Sequence, residues 1–93
     1  MIGSFVIVRS RSAGVNTGYL MELSGTTCLL RESRKIWQWE GAFTLHEMSN
    51  HGCGQDSRIS EASELLVYLP DIIEVLQCTE KATRNLRRSR NGS

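Results

Sequence analysis

The sequence predicts a small α+β domain, built as an antiparallel β-meander or partly open barrel with a short central helix and a C-terminal helix. Three observations carry this. The first forty residues hold short runs rich in β-branched and aromatic residues, separated by glycine, asparagine and serine. After Gly41 the two-residue alternation stops, and Thr44 stands three residues before Glu47 in capping-box order. Near the end, Thr79 precedes Glu80-Lys81-Ala82 as a second capped helix start.

Phe5-Val6-Ile7-Val8 reads as a strand buried on both faces. Ser12 to Gly18 follows as a loop, its two glycines and Asn16 taking positive φ at low cost. Tyr19 to Leu23 is the second strand, Ser24-Gly25 a hairpin turn, Thr26 to Leu30 the third strand and Ile36 to Trp39 the fourth. A helix is expected from Thr44 to Asn50, ended by His51-Gly52-Cys53-Gly54. Gln55 to Ser63 is polar, with a short strand at Arg58 to Ser60, and Leu65 to Leu69 fits either helix or strand. One long helix through Pro70 would cost about 3 kcal/mol, so Ile72 to Leu76 reads as a strand. Leu86 is the one apolar anchor beyond Ala82. Residues 1–83 are therefore expected to form the domain, and residues 84–93 a basic, flexible tail.

Ninety-three residues make one domain at most. A chain this short buries only about 60–65% of its unfolded surface, so a homo-oligomer is expected to supplement the core. No apolar run approaches the roughly 20 residues of a membrane span, and the N-terminus lacks a signal-peptide pattern. Cys28, Cys53 and Cys78 are odd in number and widely spaced, which fits reduced, mostly buried thiols in a cytoplasmic protein. His46, His51 and Cys53 lie close together but offer neither a metal-ligand spacing nor a fourth ligand, so no metal and no cofactor are expected.

The net charge of +1 conceals segregation. Met1 to Lys35 carries +3, Ile36 to Glu80 carries −7, and Lys81 onward carries +5. That pattern favours contacts between the basic ends and the acidic middle, and it is not the uniformly basic footprint of a typical nucleic-acid binder.

The chemistry of interest lies in RESRKIWQWEGAFTLHEM, Arg31 to Met48. On a strand, Trp37 and Trp39 project from one face and make a flat apolar wall. Arg31, Arg34 and Lys35 precede that wall, and Arg9 and Arg11 precede the loop containing Gly14 and Asn16, whose exposed N–H groups could nest an anion. An aromatic wall beside a phosphate clamp is what a nucleotide needs: the base stacks and the arginine forks hold phosphate. The plainer reading is that both tryptophans are core. Catalysis has little support, because no nucleophile elbow, phosphate loop or zinc-protease motif occurs. His46 and Glu47 are adjacent on a helix and point about 100° apart, so they form no dyad.

Three segments resemble a family of small phage-encoded proteins catalogued as a domain of unknown function. They are VIVRSRSAGVNTGYL, SRKIWQWEGAFTLHEM with its basic pair, W-x-W and Gly-Ala, and IIEVLQCTEKA with its Cys-Thr-Glu step. Together they reach from Val6 to Ala82, while Asn50 to Ser63 departs from the pattern and the arginine-rich end is peculiar to this chain. The resemblance implies a phage protein made in the cytoplasm of an infected bacterium. The expected function is non-enzymatic: an anti-defence protein that sequesters a nucleotide-derived second messenger of host immunity. The ligand would meet Trp37, Trp39, Arg9, Arg11, Arg31, Arg34, Lys35, Gly14 and Asn16. The alternative is an inhibitor that binds a host protein or nucleic acid through surface charge and its arginine-rich tail.

Overall fold

The computed structural model describes residues 1–38, 44–54 and 57–88. In chain order the elements are β1 (Phe5–Ser10), β2 (Gly14–Ser24), β3 (Thr27–Gln38), α1 (Leu45–His51), β4 (Arg58–Ile59), β5 (Val67–Leu69), β6 (Ile72–Gln77) and α2 (Glu80–Arg88). β1 is an interior strand, paired on one edge to β2 and on the other to β6. β2 pairs β3, and β3 carries β5 along its first half and β4 along its second. The result is a six-stranded antiparallel sheet that is not closed, with two helices on one face. The α+β expectation holds.

Two apolar clusters lie on opposite sides of this sheet. Phe5, Ile7, Ile36 and Leu76 face Met48 and Leu86 beneath the helices. Val6, Val8, Leu20, Cys28, Leu30 and Leu69 form the second cluster, where β5 folds back against the first half of β3. β1 supplies both, which is why its four-residue apolar run is buried on both faces.

β3 corrects the sequence reading. Two separate strands were expected around Arg31-Glu32-Ser33-Arg34-Lys35, yet Thr27 to Gln38 is continuous. Continuity survives because β2 pairs it on both sides of a bulge. Between the pairs Thr17↔Arg34 and Tyr19↔Arg31, β3 advances one residue more than β2, and Glu32 takes φ 54°. An extra residue reverses facing. Cys28 and Leu30 point to the second cluster, whereas Arg34 and Ile36 point toward the helices. Gly18 lies opposite the bulge, where a Cβ would sit 2.9 Å from the Arg31 carbonyl oxygen.

The expected loop from Ser12 to Gly18 shrinks accordingly. Gly14 supplies the positive φ of 73°, but residues from Gly14 onward are already strand. Thr17 Oγ1 donates to the Val6 carbonyl at 2.8 Å and Asn16 Nδ2 to the Ala13 carbonyl at 3.2 Å, so both polar side chains stay buried in the sheet.

The helix ends follow the sequence closely. Thr44 caps α1 by accepting from the Glu47 N–H at 3.1 Å, and Gly52 ends it at φ 83°. Thr79 caps α2 from the Ala82 N–H at 3.1 Å while its hydroxyl donates to the Asn50 carbonyl. The Asn85 amide then bonds both the N–H and the carbonyl of Cys53, fixing α2 to the end of α1. Leu86 is fully buried, so residues 84–88 of the expected tail are helix packed on the domain. The segment left open at Leu65 to Leu69 contains a strand, β5.

Gly18→Ala forces its Cβ against backbone that the bulge holds in place. The expected loss is about 1–3 kcal/mol in urea unfolding, with an unchanged m-value, whereas alanine at the open position Gly25 is resisted only by its positive φ of 58°.

Candidate functional site

The bulge decides where the residues of the Trp motif go. Trp37 faces away from the helices and exposes 59% of its surface. It is also the extra residue between the β3–β4 pairs Ile36↔Ile59 and Gln38↔Arg58, so a second bulge turns it outward. Among the described residues no hydrogen bond or ring contact holds the indole. The plain core reading therefore fails for Trp37. Trp39, the other half of the expected wall, lies outside the described residues, as does the Gly41-Ala42 step.

Lys35 shares that side of β3. Its Nζ donates to the Ala13 carbonyl at 2.7 Å, which ties it to the β1–β2 turn, and continuing the β2–β3 register places Gly14 opposite Trp37. No atom lies within 4 Å of a Cβ built on Gly14, so the surface beside the indole is open. Arg11, in the same turn, is exposed and makes no ion pair among the described residues. Trp37, Lys35, Arg11 and Gly14 thus gather at one end of the sheet.

The remaining predicted residues go elsewhere. Arg34 is only 6% exposed and points under α2, where its guanidinium donates to the carbonyls of Ser60, Leu86 and Arg87 at 2.7, 2.6 and 3.2 Å. Burial lowers its pKa. It satisfies carbonyls of the last described turn of α2, and that is a structural duty. Arg9 faces the helix side and meets Glu74 at 3.7 Å, with His46 of α1 on the same carboxylate at 3.8 Å. This is one contact between the basic N-terminal block and the acidic middle. Asn16 is buried and bonded to Ala13, and the N–H groups of Arg11 and Ala13 already bond the Asp71 carbonyl and Ser10 Oγ. The anion nest expected in that loop has lost those donors.

Arg31 faces Tyr19 across the β2–β3 ladder, with its Cζ 4.8 Å from the ring centroid. Arg87 reaches the same ring from α2 at 5.6 Å. Tyr19 and Arg87 were not anticipated as neighbours; no local pattern joins a strand tyrosine to a helix arginine so far along the chain. Arg31 and Trp37 stand six residues apart on β3, roughly 15–20 Å, so they cannot grip one mononucleotide together.

Residues 3–86 match a family described as Domain of unknown function (DUF6948). The chain belongs to that family. The match spans both apolar clusters and the whole of the Trp motif, so the fold described above is the family's domain in this chain. No curated protein and no solved structure gives a significant match.

All three cysteines are free thiols. Burial raises the pKa of Cys28 in the second cluster and pushes that of Cys78, packed against the helix-side cluster, up to about 12, because a buried thiolate loses its hydration. The sign follows directly. The unfolded chain ionises its thiols near 9 while folded Cys78 resists, so this stability is full below pH 9 and is lost as pH rises toward 12. Thermal melts of the wild type and Cys78→Ala across pH 7.5–10.5 should show a steeper alkaline decline in the wild type. Equal slopes would assign the decline to other groups.

Proposed function

We propose that the protein is a non-enzymatic binding protein of phage origin that sequesters a nucleotide-derived anionic messenger of host defence. Its ligand surface is the end of the sheet where Trp37, Lys35 and Arg11 meet the β1–β2 turn. The observation that carries the reading is Trp37, a large indole turned out to solvent by a bulge and unsupported by the described core. An exposed tryptophan is a stacking platform for a base, worth about 1–3 kcal/mol per base. Lys35 and Arg11 supply the nearby positive charge for phosphate, and the phage resemblance of the Trp motif supports the setting.

One exposed indole offers a single wall, and a messenger held without turnover needs enclosure. A second subunit is therefore part of the proposal. Leu65, Leu66, Tyr68 and Ile73, each at least half exposed, give the chain apolar surface beyond what its own core covers.

Tryptophan fluorescence against a panel of mononucleotides, linear dinucleotides and cyclic dinucleotides tests the binding. Trp37→Ala should weaken the best ligand about tenfold or more and shift stability by less than about 0.5 kcal/mol, as expected of an exposed site. A variant that unfolds, or one that binds like the wild type, overturns the reading. Native mass spectrometry of the same samples should give an oligomer whose mass rises by the bound nucleotide.

A further inference from the structure

We infer that the corner made by Tyr19, Arg31 and Arg87 is a second anion site, separate from the Trp37 surface, and that it grips the phosphodiester backbone of a nucleic acid. Two guanidiniums converge on one aromatic ring, at 4.8 and 5.6 Å from its centroid. Their charged carbons are therefore at most about 10 Å apart, within about one Debye length at 0.1 M salt, so their repulsion is only partly screened.

Among the described residues, little negative charge answers Arg31 and Arg87. Arg31 meets Glu32 at 3.9 Å across half-exposed side chains, a weak pair, and Arg87 has no ion pair among the described residues. Glu80 at the other end of α2 is engaged by Arg84 at 3.1 Å. Both guanidiniums remain exposed, so an anion can reach them.

Phosphate suits the geometry because guanidinium forks bind its oxygens bidentately and stay charged at any working pH. The ring points to the backbone of a polymer. Tyr19 is half-buried, edge-on to Phe5 at 5.1 Å, and two arginines crowd it, so it is poorly placed to stack a base. Arg88 follows at the end of α2 and is exposed. A protein partner would seek an apolar centre, and the exposed apolar side chains of residues 65–73 belong to β5, β6 and their flanks instead.

The test is fluorescence anisotropy of the full chain with labelled single-stranded and duplex oligonucleotides across a salt series. Wild type should bind with affinity that falls linearly in log salt. Arg31→Gln/Arg87→Gln should bind at least tenfold more weakly, with the salt slope reduced by between one and two. Arg31→Lys/Arg87→Lys should keep most of the slope while losing affinity. Circular dichroism melts confirm that each variant is folded. The single-stranded and duplex arms decide which backbone is preferred. Binding unchanged by the double glutamine variant overturns the assignment. So does displacement by poly-glutamate as effective as that by unlabelled oligonucleotide, which would point to an acidic protein partner.

Discussion

The mismatch between β2 and β3 at Gly18 is the constraint on which the rest depends. One extra residue on β3, held at Glu32 in a left-handed conformation, reverses the facing of every residue that follows. Without it, Arg34 and Ile36 would point away from the helices and Lys35 and Trp37 would point into them. Glycine is required opposite because the Arg31 carbonyl and the Ser33 backbone close over that position. Glu32 is a costly choice for its conformation, about 1–2 kcal/mol above glycine, and the pairing on both sides of the bulge holds it there.

The bulge also explains how so short a chain holds its second helix. Arg34 is delivered beneath the last described turn of α2, where one buried guanidinium donates to the Leu86 and Arg87 carbonyls. Asn85 bonds the backbone of Cys53, and Gly52 leaves no room for a side chain between them. Polar groups with fixed geometry thus set where α2 sits, and Leu86 and Ala82 fill the apolar space beneath. Loss of any one of these would leave charged or carbonyl groups buried and unpaired, which costs more than the bond itself contributes.

What the sequence revealed divides along sequence distance. Thr44, Gly52 and Thr79 act on backbone within a few residues, so the helix starts and the end of α1 were readable from spacing alone. β3 was not. A run of Arg-Glu-Ser-Arg-Lys looks like a break, and only pairing to β2 shows that the charges alternate between solvent, an aromatic ring and buried carbonyls. Arg34 resembled a phosphate clamp for the same reason: its partners lie more than fifty residues later in the chain. Trp37 was recognised as chemically distinctive, but its exposure depends on two bulges that no local pattern encodes.

The separation of Trp37 from Arg31 changes what each of the two proposed surfaces offers a ligand. An aromatic wall and an arginine clamp adjacent in sequence suggested one compact site, yet the bulge sends them to opposite faces of β3. Each surface is then left incomplete in a different way. The Trp37 end has a stacking face with modest charge, suited to a ligand whose base contributes much of the binding energy. The Tyr19 corner has concentrated charge and no free stacking face, suited to phosphate without regard to the base. Binding at one should be insensitive to salt compared with the other, because stacking buries apolar area while the arginine pair acts through displaced counterions. The near-zero net charge of the chain reinforces this division: long-range attraction is weak, and each site must rely on the few groups that its own strand and helix bring together.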